Sequence, residues 1–350
     1  MSNNYEIKTL NLYPIDYPFE TLVSRISSDP PKLILDPEFQ RKYKWDKEGW
    51  GRASKFIESC LMRIPLPSCY FAEDESGKHF VIDGVQRLTT IKLFFDDQFA
   101  LEGLTAFKEL EGKLFSEIGD LKAELESTTI RCIVLRKENP KQLVREIFSR
   151  LNQGAVELSE QEIRHAVYPG TFDSLLIELS HHPLVERFGL AEDSTRTKDS
   201  REAEEQALRF FAFSDDINLD TFDGNLRKFL DEYMEKNSSA DEDWINSKRE
   251  LFLKAIGNCE AAFGEDVFTN PAAERRRKGL VHYDLLMPTV GLLDADQVVE
   301  KSGKIKTAYE TLCHSANFQK TLSGGLQNRT SIIRRRELWA ELLEQAINEA

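Results

Sequence analysis

The segment that best fits a chemical role in this chain runs over residues 83–90. It follows a run of β-forming residues at 80–82 and overlaps apolar residues at helical spacing, which predicts a strand, a turn and a helix. Free backbone N–H groups and the helix dipole attract anions at such a helix start. Arginine binds phosphate through paired hydrogen bonds, and a nearby aspartate can hold a divalent ion. The residues that would do this are Asp83, Gly84, Gln86, Arg87, Thr89 and Thr90.

Two further segments gather polar side chains in predicted loops or helix starts. They contain, in chain order, Gln40, Arg41, Ser149, Arg150, Asn152, Glu162 and Arg164. A carboxylate with several arginines and amides at converging strand ends is a reasonable site for a phosphoryl group, since such sites act by positioning and charge stabilisation. The alternative is structural, with acid–arginine pairs that tie loops together and an ordinary solvated cap at the junction.

Other catalytic patterns are missing or weak. The sequence has no Gly-x-x-x-x-Gly-Lys-Ser/Thr loop and no Gly-x-Ser-x-Gly elbow. Asp97 with Glu111 and Lys113 has the outline of a nuclease site, but these residues fall in a helical or loop context rather than on a strand. The histidines at 181–182 lack a matching ligand set, and His165 is predicted to be structural. No Cys-x-x-Cys pair occurs, so neither a zinc site nor a disulfide framework is indicated.

Composition and charge limit the class of protein. The chain has 350 residues, 41% hydrophobic and 30% charged, which is enough for two globular cores. We expect a cytoplasmic protein without a membrane span, because no apolar run approaches about 20 residues and the N-terminus lacks a signal pattern. The net charge of −14 argues against coating of nucleic acid by the whole surface. Local basic contacts stay open at 41–44, 275–278 and 334–336.

Hydrophobic periodicity predicts the elements that position these residues. Strands are predicted at 7–12, 32–35, 69–72, 80–82 and 129–135, with a hairpin joining 69–72 to 80–82. Helices are predicted after residues 48, 84 and 140, at 160–167 behind a capping box of Ser159 and Glu162, and at 245–263, 280–293, 296–314 and 331–348. The predicted fold class is α+β, with an α/β domain over residues 1–170 and an all-helical domain over residues 171–350.

The order of these motifs resembles that of the DUF262 family, the ParB/sulfiredoxin-like domains of GmrSD-type modification-dependent restriction proteins. The resemblance covers roughly residues 15–235, with motifs at 39–45, 56–67, 81–90, 147–154, 158–170 and 205–210. It implies a ParB-like α/β domain that binds a nucleoside triphosphate with Mg²⁺ and is expected to hydrolyse it. It also implies a role in defence against foreign DNA.

The resemblance assigns roles to residues. The family's Asp-Gly-Gln-Gln-Arg motif maps to Asp83, Gly84, Gln86 and Arg87. Asp83 would position Mg²⁺ or the attacking water, Gln86 would orient that water, and Arg87 would hold phosphates. The other residues expected to contribute to the pocket are Gln40, Arg41, Gly84, Thr89, Arg150 and Asn152. Val85 replaces the family's first glutamine, so either this position faces the core or a ligand contact needed for hydrolysis is lost.

Two other functions fit the same sequence. A non-catalytic DNA-binding or modified-DNA sensor module would use the segment 41–45, from Arg41 to Trp45, with Tyr43 and Trp45 stacking on bases. The segment from Arg275 to Lys278 is a second candidate for contact with DNA. An interaction subunit would instead recruit a nuclease or methyltransferase partner through its acidic helical domain. DNA cutting by this chain alone is not expected, because no His-Asn-His motif follows residue 171, and the sequence is compatible with an oligomer.

Overall fold

A computed structural model gives the structure of the chain. It describes residues 10–35, 43, 45–46, 49–74, 76–151, 159–186, 188, 201–214, 222–274, 277–323 and 325–348. The chain divides into two compact units, Met1–Glu157 and Leu158–Ala350. The domain boundary expected near residue 170 from the change in sequence pattern stays a prediction.

The N-terminal unit is built on a five-stranded mixed sheet. Its strands are β1 (Leu12–Pro18), β2 (Leu33–Ile34), β3 (Cys69–Glu73), β4 (His79–Asp83) and β5 (Thr129–Leu135). The order across the sheet is β1-β5-β3-β4-β2. The predicted hairpin is confirmed, since β3 and β4 are antiparallel neighbours. β3 also runs parallel to β5, so the hairpin lies inside the sheet.

The first strand differs from the prediction at 7–12. It begins at Leu12 and pairs antiparallel with β5 from Leu12 opposite Leu135 to Pro18 opposite Thr129. The side chains that alternate inward along it, Tyr13, Ile15 and Tyr17, pack against the hydrophobic core. Pairing with β5 and this alternation place the strand after residue 11, and residues 7–9 lie outside the described residues.

Helices complete the N-terminal unit. They are α1 (Phe19–Ser27), α2 (Gly51–Leu61), α3 (Val85–Phe95), α4 (Leu121–Ser127) and α5 (Lys141–Leu151). Leu88 and Ile91 of α3 are fully buried in the same core as Cys69 and Phe71 of β3. Burial of such a side chain stabilises a fold by about 1.5–3 kcal/mol. The core therefore fixes α3 against the sheet and presents its first turn at the end of β4.

The C-terminal unit is helical. Its helices are α6 (Glu160–Val167), α7 (Thr171–Ser180), α8 (Pro183–Glu186), α9 (Glu202–Ser214), α10 (Leu226–Asn237), α11 (Glu242–Phe263), α12 (Leu280–Leu286), α13 (Ala295–His314), α14 (Ala316–Thr321) and α15 (Arg329–Asn348). The helix predicted at 280–293 is interrupted, because α12 ends at Leu286 and a 3₁₀ turn follows at Val290–Leu292. The α+β fold class with a helical C-terminal part is confirmed.

The start of α6 matches the predicted capping box. The Ser159 backbone N–H donates to Glu162 Oε2 at 2.6 Å, and the Glu162 N–H donates to Ser159 Oγ at 3.2 Å. Two N–H groups that a helix start leaves without partners are thereby satisfied. Over the part of the chain that the structure describes, no helix is both long enough and apolar enough to cross a membrane.

Candidate functional site

The turn between β4 and α3 depends on Gly84. This residue has φ +102° and ψ 7°, the left-handed region that residues with a Cβ rarely adopt. A Cβ at this position would lie 2.4 Å from Sγ of Cys69, which is fully buried on β3. Glycine is therefore required at this position for two reasons, the backbone conformation and the close approach of β3. The result is that the Asp83 carboxylate and the first turn of α3 lie next to each other.

Arg87 connects the start of α3 to Asp83 and to the segment before β3. Its Nη2 donates to Asp83 Oδ2 at 2.8 Å and to the Ser68 carbonyl at 3.4 Å, and its Nη1 donates to the Pro67 carbonyl. The arginine side chain is 13% exposed, whereas the Asp83 side chain is 41% exposed. Arg87 thus holds the segment before β3 and orients Asp83, which stays open to solvent. The prediction that Arg87 holds phosphates is not tested by these contacts, but they assign it a structural role as well.

The first turn of α3 has no side-chain cap. Gly84 at the N-cap offers no acceptor, and the first turn contains no acidic residue. The N–H groups of a first helical turn have no acceptor within the helix, and the dipole is positive there. An anion placed beside Asp83 would meet these donors. Because Asp83 is itself negative, a cation between it and the anion would complete the charge balance.

Tyr43 is a structural residue and is not available to stack on a nucleic-acid base. It is 4% exposed, its hydroxyl lies 2.6 Å from Thr90 Oγ1, and its ring packs against Trp50. Thr90 Oγ1 donates to the Gln86 carbonyl at 2.7 Å, so Tyr43 is the donor to Thr90. Burial raises the pKa of the Tyr43 hydroxyl to about 12, which keeps it protonated. The proposed stacking role of this residue is wrong, because α3 already covers it.

Trp45 is likewise engaged within the N-terminal unit. Its ring lies 5.5 Å from the ring of Phe56, and the Arg52 guanidinium lies 5.2 Å from its centroid. Both aromatic side chains therefore pack within the N-terminal unit. Gln40 and Arg41 lie outside the described residues, so their predicted roles stay predictions.

Thr89 has a buried hydroxyl without a partner. The residue is 3% exposed, and its Oγ1 makes no hydrogen bond within the structure. An unsatisfied buried hydroxyl costs about 1–3 kcal/mol. Thr89 lies one turn beyond the start of α3, on the helix that carries Gln86 and Arg87. Its predicted role in ligand binding stays a prediction, and the missing partner makes it testable.

Val85 faces the protein interior. It is partly buried and packs against the hydrophobic core cluster of the N-terminal unit. This observation supports the first of the two sequence-based alternatives, in which the position serves packing. Gln86 next to it has interactions of its own within the structure.

The remaining predicted site residues of the described structure have contacts of their own. Arg150 is exposed near the end of α5 and forms an ion pair with Glu146 one turn earlier on the same helix. Asn152 lies outside the described residues. Glu162 closes the capping box of α6. Arg164 is 1% exposed and forms ion pairs with Asp231 at 2.8 Å and Glu205 at 2.9 Å, so for these two residues the structural alternative is correct.

The acidic residues of the weak nuclease-like pattern and the arginines at 334–336 also have structural roles. The Glu111 carboxylate accepts the backbone N–H groups of Gly103 and Leu104, and Asp97 accepts that of Ser116, so both acids order loops. Among the arginines at 334–336, Arg335 is buried and donates to two carbonyls, and Arg336 donates to the Phe213 carbonyl. These two arginines do not form an open basic face. Arg275 and Arg276 lie outside the described residues.

One comparison with known proteins identifies the N-terminal part of the chain. Residues 19–169 match the family model of the GmrSD restriction endonuclease, N-terminal domain. The match includes the β4–α3 turn and the capped start of α6. No curated protein and no solved structure matches the chain.

Proposed function

We propose that the chain is a component of a DNA restriction or defence system and that it binds a Mg²⁺–nucleoside triphosphate complex. Its residues 19–169 belong to the family of GmrSD restriction endonuclease N-terminal domains. The β4–α3 turn is the proposed site. The observation that carries this proposal is the open Asp83 carboxylate beside an uncapped helix start, in a segment of that family.

The start of α3 would bind the phosphates. The helix has eleven residues, so its dipole is developed, and Gly84 at its N-cap makes no side-chain cap hydrogen bond. Phosphate oxygens at this end would accept these N–H groups. Arg87 lies at the same turn, but its guanidinium is occupied with Asp83 and two carbonyls. We therefore assign Arg87 chiefly to positioning Asp83, and we keep Arg41 as the second proposed phosphate ligand.

Asp83 would hold the metal ion. Mg²⁺ is usually bound by one or two carboxylates together with phosphate oxygens and water. The Asp83 carboxylate fits this requirement, because it is 41% exposed and Arg87 engages only its Oδ2. When bound, Mg²⁺ would neutralise phosphate charge at the turn. Gln86 is the proposed residue that orients the water for hydrolysis, with Thr89 and Asn152 as further contacts.

The test compares two aspartates that flank α3, Asp83 at the end of β4 and Asp96 at the C-cap of the helix. Asp83 pairs with Arg87, and Asp96 pairs with Lys92, each at a spacing of four residues, with side chains 41% and 39% exposed. We expect Asp83→Asn to abolish Mg²⁺-dependent nucleotide binding and to lower hydrolysis at least about tenfold, since removal of one charge-stabilising group typically costs more than that. Asp96→Asn should behave as wild type. Binding and phosphate release are measured with each common nucleoside triphosphate, with and without DNA.

The outcomes separate the candidate functions. Unchanged Mg²⁺-dependent binding and hydrolysis in Asp83→Asn would contradict the proposed site. Salt-dependent DNA binding with no nucleotide turnover in the wild type would favour the sensor module. A separate nuclease or methyltransferase is the proposed partner in the restriction system, and its co-purification with the chain from the native host tests that point.

A further inference from the structure

Three ionisable residues of the C-terminal unit lie close together. His165 lies on α6, Asp173 on α7 and Glu204 on α9. One nitrogen or oxygen atom from each lies within 4.8 Å of the others. Asp173 and Glu204 are 3% and 4% exposed. Two carboxylates so close together and so deeply buried repel each other and lose hydration, so the fold must supply compensating positive charge.

The contacts at this cluster compensate it only in part. His165 Nδ1 lies 2.7 Å from Asp173 Oδ2, and Arg201 Nη1 donates to both oxygens of Glu204 at 2.8 Å. The other oxygen of Asp173, Oδ1, is buried and has no hydrogen-bond partner in the structure. A carboxylate oxygen left in this state loses its hydration without replacement. It is a buried acceptor on a residue of the cluster, and it lacks a donor or a cation.

We propose that His165, Asp173 and Glu204 bind a divalent first-row transition-metal ion, of which Zn²⁺ is the type. Imidazole nitrogen with carboxylate oxygen is a donor set suited to such ions. Arg201 then orients the Glu204 carboxylate from behind, as hydrogen-bonded neighbours of metal ligands commonly do. The ion supplies a partner for Asp173 Oδ1.

The present spacing is close to what coordination needs. Zinc bonds of about 2.0–2.2 Å place adjacent ligand atoms roughly 3.3 Å apart. His165 Nδ1 and Asp173 Oδ2 at 2.7 Å are hydrogen-bonded, so these atoms separate slightly on binding or the aspartate uses Oδ1. Each carboxylate oxygen has two lone-pair sites, so Glu204 can accept Arg201 and still bind an ion.

The test measures metal binding by the full chain, prepared without a polyhistidine tag and treated with a chelator. Zn²⁺ is titrated by calorimetry, and Co²⁺ is followed by its visible absorption. We expect one ion per chain and affinity at least about tenfold weaker in His165→Asn and Asp173→Asn, the loss typical for disturbed metal sites. His181→Asn is the control, because His181 is an exposed histidine that ends α7 in the same unit.

Each outcome decides the proposal. Loss of the Co²⁺ absorption in the two cluster variants, but not in His181→Asn, supports it, provided their circular dichroism matches wild type. If Asp173→Asn folds poorly, Glu204→Gln provides the second ligand variant. Absence of stoichiometric binding in the wild type, or equal binding in all variants, overturns the proposal in favour of a proton-balanced network. The metal titrations contain no nucleotide, so their outcome is read independently of the proposed function.

Discussion

At the residue scale, the start of α3 depends on two residues with different tasks. Gly84 provides the backbone conformation, and Arg87 orients Asp83 while holding the carbonyls of Pro67 and Ser68. The dipeptide Asp83-Gly84 predicted a turn because both residue types favour one. The contacts to Pro67 and Ser68 were not predictable, because the side-chain reach of Arg87 depends on where β3 lies.

The contribution of Gly84 can be separated into its two causes. An alanine in the left-handed conformation costs about 1–2 kcal/mol. We expect Gly84→Ala to lower the free energy of unfolding by more than this, because the new Cβ also meets Cys69 Sγ. Gly77→Ala is the control for the backbone term, since Gly77 has φ +77° with open space around it. Urea unfolding monitored by circular dichroism measures both. Equal losses in the two variants would show that contact with Cys69 is unimportant.

The buried hydroxyl of Thr89 gives a prediction that distinguishes packing from binding. Thr89→Val removes an unsatisfied oxygen while nearly keeping the volume, so we expect the unfolding free energy to be unchanged or to rise by up to about 1–3 kcal/mol. Thr90→Val is the matched variant, and it should lower stability because Thr90 Oγ1 bonds to Tyr43 and Gln86. A stable Thr89→Val protein with impaired nucleotide binding would assign the hydroxyl to the ligand.

At the element scale, buried ion pairs join helices of the C-terminal unit. Arg164 on α6 contacts Asp231 on α10 and Glu205 on α9. Helical periodicity predicted these helices, but no sequence pattern indicated which of their charged residues would be buried. Likewise, Thr129–Leu135 was predicted correctly from its β-branched residues, whereas the convergence of His165, Asp173 and Glu204 was missed. These three residues have no motif spacing, and tertiary packing alone brings them together.

Arg164 should be among the residues most sensitive to substitution. We expect Arg164→Met to lower the unfolding free energy by about 3–5 kcal/mol, because Asp231 and Glu205 would both lose their ion pair with this buried arginine. Arg131→Met is the comparison. Arg131 forms an ion pair with Asp16, and the two side chains are 58% and 50% exposed. Exposed pairs contribute about 0–1 kcal/mol. Denaturant melts that ranked the two variants equally would contradict this account.

At the scale of the whole molecule, two buried groups give stability opposite dependences on pH. Burial lowers the pKa of His282 to about 4, and burial raises that of Glu204 to about 7. In an unfolded chain, the corresponding values are about 6.5 and 4.3. A depressed histidine pKa contributes stability that is present above pH 6.5 and lost as pH falls towards 4. A raised glutamate pKa contributes stability that is present below pH 4.3 and lost as pH rises through 7.

The histidine contribution can be tested by substitution. We expect the wild type to lose stability between pH 6.5 and 4, by roughly 3 kcal/mol for this group, because the unfolded chain takes up a proton that folded His282 refuses. His282→Gln should be less stable at pH 7, since it disturbs the contact with Tyr309, but should show a shallower loss towards acid. Denaturant melts across pH 4–8 give the slopes, and parallel curves would refute the assignment.

The order of strands in the N-terminal sheet has a consequence for synthesis of the chain on the ribosome. β1 is made first, but its partner β5 begins only at Thr129, and the hairpin of β3 and β4 is completed against the same strand. At about 5–20 residues per second, β1 waits on the order of ten seconds with its hydrogen-bonding edge uncovered. During that interval the nascent chain carries the β3–β4 hairpin without β5, the strand that pairs with β3. The Asp83 turn therefore gains a rigid support only when residue 135 has left the exit tunnel.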